Sequence, residues 1–395
     1  MAELATDAAD RFVITPVEET HAAISRRVFQ RVGPLAAPVR MIHDGTSRLA
    51  YRGVRRVFVY GGTVAARGVE RVSAGNPRAV SSSTAGRAAI SALNALFGDE
   101  IAARETPLAI SMAVRCAGED VQCDSRRLSA VFPGARTHVV VFVHGLAENE
   151  EWWTRRRRSR WTRSFGHRLE QDVHCTAIYV RYNTGLHVSE NGASLASLME
   201  SLVDAWPVTV TRLTLVGHSM GGLVIRAACH RADIAGSAWA RVVRDVVTLG
   251  TPHHGAPLAK ALHAVDWALR LAPESRTFAD ALRTSAGIRD LRYGTVEEID
   301  WRQEEYWGFS DRRSATPLLP HCKYTFVTAA VTADPKHRVG LIVGDLLVRT
   351  ESAGGRSRTR SIPVPPESVV DLGGMTHFDL LHHVRVYDVV RDALR

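Results

Sequence analysis

Short apolar runs that alternate with helical patterns are the feature that most limits what this chain can fold into. Four runs are almost wholly apolar: Val139–Val143, Ala177–Val180, Leu213–Val216 and Val246–Leu249. Segments with helical spacing lie between them, at Trp153–Gln171, Ala193–Trp206 and Gly221–Asp233. Continuous apolar strands joined by helices are typical of a parallel sheet that is covered on both faces. The pattern therefore predicts an α/β fold with a mostly parallel central sheet.

The rest of the chain predicts additions to this sheet. Residues 1–105 are expected to form a helical N-terminal extension, with a helix from Thr15 to about Val32, a second helical stretch from near Pro38, and a third that begins after Thr84 and ends near Gly98. Residues 106–395 are expected to form the α/β domain, in which residues 256–320 are a helical, charged lid insert. Further strands are predicted as a hairpin at Leu108–Arg115 and Val121–Val131, then at Tyr324–Ala329 and Ser368–Leu372, before a closing helix from about Phe378.

Composition sets weaker limits. The net charge is +9, but all except three of the 50 basic residues are arginines, so the excess is poor evidence for a nucleic-acid partner. The five cysteines show neither metal spacing nor a disulfide framework. The N-terminus lacks an apolar signal segment, and no window of 18 residues is continuously apolar. We therefore expect a cytoplasmic protein, with peripheral membrane contact as an open alternative.

One serine stands between two glycines where an apolar run gives way to a helix. The segment Gly217-His218-Ser219-Met220-Gly221 matches the nucleophile elbow, a sharp turn that exposes a serine at the edge of the sheet. Glycine is needed on both sides because side chains there would collide across the turn. The alternative is a glycine-rich turn with a capping serine. The motif favours Ser219 as a nucleophile.

A nucleophilic serine needs hydrogen-bond donors for the oxyanion that forms after attack. The backbone N–H of Met220, directly after the serine, is the first candidate. The second is the N–H of Leu146, in the loop His144-Gly145-Leu146 that follows an apolar strand. We expect His144 itself to be a structural residue that holds this loop.

The base and the acid are expected after the serine in the chain. His377 lies between a short strand and a helix, which suits a general base. Asp345, directly after an apolar run, is the first candidate for the acid that orients it. The rivals for this role are Asp334 and, less plausibly, Glu298 or Asp300 in the insert.

Five segments, in their order along the chain, resemble α/β-hydrolase lipases and esterases. They are HGLAENE, GHSMGG, TLGTPHHGAPLA, VGDLLV and GGMTHFDLL, and the similarity covers roughly residues 106–395. The likeness is greatest to bacterial lipase-like serine hydrolases and to the GPI inositol-deacylase-like branch. It implies an α/β-hydrolase fold, a triad of Ser219, Asp345 and His377, oxyanion donors at Leu146 and Met220, and no cofactor or metal. Many lipases carry Gly-Asp-Gly-Leu-Val where this chain has Gly-Asp-Leu-Leu-Val.

Three further segments have a structural and a functional interpretation. The adjacent His253 and His254 are expected to shape a loop rather than to bind a metal. The run Arg155–Arg160 is either a solvated face or a contact with an anionic membrane surface. The loop from Arg181 to His187 either lines a substrate pocket or is a structural turn.

Together these observations favour a serine hydrolase that cleaves carboxylic esters, with a lipid-like or acyl ester as substrate. Two alternatives stay open. The same triad could serve an acyltransferase or a thioesterase. The chain could also be a non-catalytic protein that binds lipid or a membrane surface.

Overall fold

The computed structural model describes residues 81, 83–154, 163–257, 285–303 and 313–395. The helices predicted before Ser81, the run Arg155–Arg160 and most of the insert lie outside the described residues. The described residues from Asn94 onward belong to one compact unit, and the few before it belong to a second. Among the described helices, none is both long and apolar enough to cross a lipid bilayer.

A central sheet forms the core of the unit that begins at Asn94. Its described strands are β1 Ala113–Cys116, β2 Glu119–Val121, β3 His138–Val143, β4 Thr176–Arg181, β5 Arg212–His218, β6 Val243–Leu249, β7 Lys323–Ala330 and β8 Val369–Gly373. They pair in the order β2-β1-β4-β3-β5-β6-β7-β8. β1 runs antiparallel to both β2 and β4, whereas all the other neighbours are parallel. The predicted fold class, with a mostly parallel sheet, is confirmed.

The apolar runs form strands because both faces of the sheet are covered. In β3 every residue is buried. Val139, Val141 and Val143 pack into the core on one face. Val140 and Phe142 pack into the core on the other face. The alternation of side chains along a strand thus explains why an uninterrupted apolar run was needed here.

Helices precede, connect and follow these strands. In chain order they are α1 Thr84–Ala103, α2 Ser125–Val131, α3 Phe165–Asp172, α4 Val188–Ala205, α5 Met220–Ala235, α6 Ala238–Val242, α7 Ala286–Asp290, α8 Glu298–Gln303, α9 Arg338–Val343, α10 Thr350–Ala353 and α11 Val384–Ala393. Short 3₁₀ helices cover Glu150–Trp153, Pro366–Ser368 and His377–Leu381. Of the insert between β6 and β7, the structure describes α7 and α8.

Several predicted elements differ from the structure. The first hairpin strand was predicted over Leu108–Arg115, but β1 begins only at Ala113. The helix predicted over Ala193–Trp206 begins earlier, at Val188. The second hairpin strand was predicted over Val121–Val131, but β2 ends at Val121 and α2 follows. The Asp124 side chain accepts the Arg127 N–H at 2.8 Å, and this cap starts the helix. The helix predicted to end near Gly98 continues to Ala103 after a break at Phe97. The closing helix was predicted from about Phe378, but a 3₁₀ helix covers His377–Leu381 and α11 begins at Val384.

Candidate active site

The turn between β5 and α5 holds Ser219 in a conformation that residues other than glycine rarely adopt. Its φ is 53° and its ψ is −122°, and its N–H donates to the Leu249 carbonyl at 2.8 Å. A Cβ atom at Gly217 would lie 2.6 Å from the backbone of α5, and one at Gly221 would lie 2.3 Å from the Val143 oxygen. Only glycine fits on either side of Ser219 without displacing backbone.

The serine itself stays accessible within this tight packing. Ser219 is partly exposed, whereas its neighbours His218 and Met220 are fully buried. Met220 is also the first residue of α5, so its N–H has no acceptor inside the helix. The turn therefore presents a hydroxyl and, directly after it, an unpaired helix-terminal donor.

His377 and Asp345 form a buried, hydrogen-bonded pair. His377 Nδ1 lies 2.6 Å from Asp345 Oδ2. The other carboxylate oxygen of Asp345 accepts the N–H groups of Leu347 and Val348, at 3.0 and 2.8 Å. A carboxylate oxygen accepts hydrogen bonds, so the His377 Nδ1 carries the hydrogen and Nε2 is left as the basic atom. The geometry is that of an imidazole oriented for proton transfer.

The surroundings of His377 favour its protonated form. Burial alone would lower the pKa of this imidazole. The negative charges of Asp345 and Glu148 outweigh burial and raise the pKa of His377 above its ordinary value. His377 is therefore a base whose uptake of a proton is stabilised by its partners.

Close approaches join the base to the serine turn. The His377 ring lies 4.7 Å from the ring of His218, the residue before the serine, measured between centroids. A Cβ atom at Gly250 would lie 3.1 Å from two atoms of the His377 ring, and one at Gly145 would lie 2.9 Å from Ser219 Cβ. The loops that follow β3, β5, β6 and β8 thus converge at one end of the sheet. This is the edge where open α/β sheets bind ligands.

The loop after β3 holds a backbone donor at Leu146. The Gly145 N–H donates to Glu148 Oε2 at 2.7 Å, and the Ala147 N–H donates to Thr184 Oγ1 at 3.3 Å. The Leu146 N–H lies between them, and it has no acceptor within the part of the chain that the structure describes. The Leu146 N–H is thus available to a ligand.

His144 holds the same loop in place. Its Nδ1 lies 2.9 Å from the Gly145 carbonyl oxygen, and its Nε2 accepts the Tyr182 N–H at 3.3 Å. The Tyr182 ring stacks on the imidazole at 4.4 Å, and its hydroxyl donates to the His144 carbonyl at 2.8 Å. Burial lowers the pKa of His144, and a neutral imidazole fits these contacts. The structure therefore gives His144 the loop-holding contacts predicted from the sequence.

The rival acids are occupied elsewhere. Asp334 accepts the Lys336 N–H at 2.9 Å in an exposed turn. Asp300 accepts the Ser314 N–H at 2.7 Å. Glu298 forms an exposed ion pair with Arg302 inside α8. Asp345 is the candidate that the structure brings into contact with the His377 ring.

The adjacent histidines bind protein groups. His253 faces Thr248 Oγ1 at 3.3 Å and Arg226 at 3.4 Å. His254 lies 2.9 Å from the Gly355 carbonyl and 3.1 Å from Arg313. Within the described residues, no group of three or more His, Cys, Asp or Glu side chains could hold a metal ion. The two imidazoles connect several loops behind the serine turn.

The loop from Arg181 to His187 also makes structural contacts. The Asn183 side chain donates to the Gly98 carbonyl at 3.0 Å. His187 lies 3.0 Å from the buried Asp290 carboxylate and stacks on Trp301 at 3.9 Å. Thr184 accepts from the loop after β3, as described above. This loop therefore links the insert helices to the candidate oxyanion loop.

Two residues with no role assigned from the sequence lie beneath the serine. Glu148 Oε2 lies 3.0 Å from His218 Nδ1, and His218 Nε2 lies 3.1 Å from the His377 carbonyl oxygen. Both side chains are buried. They stand inside the segments HGLAENE and GHSMGG, but their contact spans 70 positions. A contact over that distance leaves no local signal in a single sequence.

Similar proteins are described as esterases and lipases. Residues 134–276 match the profile of a family described as "Putative serine esterase (DUF676)". A triacylglycerol lipase of Burkholderia plantarii is 26% identical over 162 residues, which are 38% of this chain and 40% of that protein. The match thus spans two fifths of the length of this curated relative.

Two solved structures illustrate the structural similarity. The mature Bacillus licheniformis lipase BlEst2 is 20% identical, with a TM-score of 0.40, over 65% of this chain and 91% of that one. The Staphylococcus hyicus lipase is 14% identical, with a TM-score of 0.39, over 66% of this chain and 94% of that one. The likeness to the GPI inositol-deacylase-like branch stays a prediction. Over residues 134–276 the chain is thus similar to proteins described as serine esterases, and its sheet order and strand-turn-helix at Ser219 are those of an α/β fold with a mostly parallel sheet.

Proposed function

We propose that this protein hydrolyses carboxylic esters through an acyl-enzyme formed on Ser219. The observation that carries the proposal is the buried pair of His377 and Asp345, 2.6 Å apart, beside a serine held at a φ of 53°. A strained, accessible serine and an oriented imidazole are the two parts that nucleophilic acyl transfer needs. The family match over residues 134–276 supports the same chemistry.

In the first half of the reaction, Ser219 Oγ attacks the ester carbonyl carbon. Its proton passes to His377 Nε2, and Asp345 stabilises the imidazolium that results. The N–H groups of Leu146 and Met220 stabilise the negative charge on the carbonyl oxygen. The C–O bond to the alcohol then breaks, the alcohol takes the proton from His377, and the acyl group stays on the serine.

In the second half, water replaces the alcohol. His377 takes a proton from the water as it attacks the acyl carbon, and the same two N–H groups hold the oxyanion. Ser219 recovers its proton from His377 and the carboxylic acid leaves. This scheme requires neither a metal nor a cofactor.

We propose an apolar acyl ester as the substrate. The lipase names of the relatives support this choice, as does an insert between β6 and β7 that we interpret as a lid. The arginine-rich segment 155–160 is proposed as a contact with an anionic lipid surface. No nucleic-acid partner is proposed, because no recognition pattern accompanies the arginines.

Labelling with a fluorophosphonate probe, together with hydrolysis of p-nitrophenyl esters of increasing acyl length, tests this proposal. The wild type is compared with Ser219→Ala and with a matched control, Ser194→Ala. Ser194 is an exposed helix serine whose hydroxyl donates to the Glu190 carbonyl. We expect labelling and turnover in the wild type and the control, and neither in Ser219→Ala.

The acyl chain length of the ester that is hydrolysed fastest then indicates the depth of the acyl-binding site. A folded wild type that neither reacts with the probe nor cleaves any ester would contradict the proposal. Faster product formation with an added alcohol or thiol than with water would reassign the protein to acyl transfer.

A further inference from the structure

Glu148 and His218 form a buried pair below the nucleophile turn. The Glu148 carboxylate is 3% exposed and the His218 ring is fully buried. Glu148 Oε2 contacts His218 Nδ1 at 3.0 Å and also accepts the Gly145 N–H at 2.7 Å. The edge of the Trp153 ring covers the imidazole. The triad chemistry proposed above assigns no role to this pair.

The hydrogen-bond partners determine where the protons lie. His218 Nε2 faces the His377 carbonyl oxygen at 3.1 Å. Because a carbonyl only accepts, this nitrogen must carry a hydrogen. Glu148 Oε2 already accepts from Gly145, and an ionised carboxylate suits a second donor. Burial would raise the pKa of Glu148, but His218 and the Gly145 N–H outweigh it and lower the pKa. One hydrogen therefore lies between His218 Nδ1 and Glu148 Oε2, and another lies on His218 Nε2.

The pair connects three loops that carry the proposed chemistry. Gly145 precedes the Leu146 donor in the loop after β3. His218 precedes Ser219 in the turn after β5. The acceptor of the second His218 hydrogen bond is the main chain of His377 in the loop after β8. One continuous path of hydrogen bonds thus runs from the oxyanion loop, under the nucleophile, to the base.

We propose that Glu148 and His218 are positioning residues that hold the Leu146 donor, Ser219 and His377 at fixed mutual distances. This inference rests on the proposed function, because it concerns the same site. Neither side chain is proposed to touch the substrate.

The charges that face the base give the inference a measurable consequence. His377 is faced by Asp345, by Glu148 and by the ring of His218. His144, which also faces Glu148, has a pKa lowered by burial and contributes no charge. Loss of Glu148 removes a carboxylate that raises the pKa of His377. Loss of His218 instead removes the hydrogen bonds to Glu148 and to the His377 main chain and keeps both carboxylates.

The test compares Glu148→Gln and His218→Gln with a matched change in a partly buried ion pair. Arg212 and Asp245 form this pair, 2.7 Å apart, and Arg212 begins the strand β5 that His218 ends. Asp245→Asn converts a buried carboxylate of β6 to an amide, beside the end of β5 opposite His218. The measurements are kcat and KM for a short-chain p-nitrophenyl ester as a function of pH, and thermal unfolding.

We expect kcat to fall about 10- to 100-fold in both variants, the loss typical of outer partners that orient a reactive group, with little change in KM. Because His377 must be neutral to act as base, activity is lost on the acid side as it protonates. That acid limb should move to lower pH in Glu148→Gln, whereas His218→Gln keeps both carboxylates and should move it less. Asp245→Asn should lower thermal stability and leave the acid limb in place.

A movement of the acid limb in Glu148→Gln that Asp245→Asn does not share would not arise from a purely structural pair. Wild-type kcat and an unmoved limb in both variants, with Ser219 labelled normally in the wild type, would overturn this inference alone. An unreactive wild type would instead overturn the proposed function, so the two failures are distinct.

A second measurement covers variants that fail to fold. NMR of the wild type with ¹⁵N-labelled histidine should show a hydrogen on His218 Nε2, the nitrogen that faces the His377 carbonyl oxygen. Glu148→Asp, which keeps the carboxylate, should remove less activity than Glu148→Gln. A His218 ring without a hydrogen on Nε2 would refute the path of hydrogen bonds directly.

Discussion

Ser219 and Leu346 are residues other than glycine that turns of the candidate site hold at a positive φ, and they differ in what surrounds them. Ser219 has a φ of 53° and Leu346 has a φ of 89°. Ser219 lies between Gly217 and Gly221. A Cβ atom at either glycine would lie within 3 Å of backbone atoms. The Leu346 side chain is 40% exposed. The first conformation is enforced by packing on both sides, and the second is held within a surface loop.

The difference shows which kind of strain the proposed chemistry requires. At the first turn the strained residue is itself the proposed nucleophile, so its conformation determines where the hydroxyl lies. At the second turn the strained residue follows Asp345, whose side chain is fixed by its own hydrogen bonds to Leu347 and Val348. Removing the strain at Leu346 should therefore leave the activity unchanged. Disrupting the packing around Ser219 should reduce it.

The largest effect is expected from Asp345→Asn, which changes the acid and preserves the second turn. The amide oxygen can still accept from Leu347 and Val348, which leaves the NH₂ group facing His377 Nδ1. That contact requires the imidazole tautomer with its hydrogen on Nε2, which cannot accept the serine proton. We expect kcat to fall about 10⁴-fold, the loss known for this change in a serine triad.

Asp334→Asn is the matched control, because Asp334 was the rival acid and sits in an exposed turn. Ester hydrolysis and thermal unfolding are measured for both variants. Activity lost in the control and kept in Asp345→Asn would reverse the assignment of the acid.

The next effect concerns the packing of the first turn. In Gly221→Ala, the new Cβ would lie 2.3 Å from the Val143 carbonyl oxygen, and neither backbone segment can move without displacing β3 or α5. We expect a loss of about 3 kcal/mol in the free energy of unfolding, at the upper end for overpacking, and reduced labelling of the serine. Gly134→Ala is the control, since its Cβ would meet no atom within 4 Å. Equal stability of the two variants in chemical denaturation would show that the turn is not tightly packed.

The same contrast explains what the sequence could predict. Apolar runs such as Val139–Val143 specify buried strands by local composition, and the structure places β3 over the same residues. Ser219 was recognised because Gly217 and Gly221 lie two positions from it in the sequence. The prediction of a strand over Val121–Val131 was wrong because the Asp124 cap, a single local hydrogen bond, decides for a helix there.

The remaining features depend on contacts between distant positions. His218 meets Glu148 across 70 positions and the His377 main chain across 159. No spacing rule predicts such a pair, because it exists only once three loops have converged. The positive φ of Leu346 was equally hidden, although a leucine stands where many lipases have glycine.

The smallest effect is expected at that leucine, where the second turn can be relaxed. At an ordinary position alanine is more stable than glycine by about 0.5–1 kcal/mol, because glycine loses more chain entropy on folding. At a φ of 89° the order should reverse. We expect Leu346→Gly to exceed Leu346→Ala by about 1 kcal/mol in the free energy of unfolding, since both lack the leucine side chain and only alanine keeps the strain. Ester hydrolysis should be alike in both, because Asp345 keeps its hydrogen bonds. An alanine variant as stable as the glycine variant, in denaturant unfolding, would mean that this turn stores no strain and that the two turns differ more than their angles suggest.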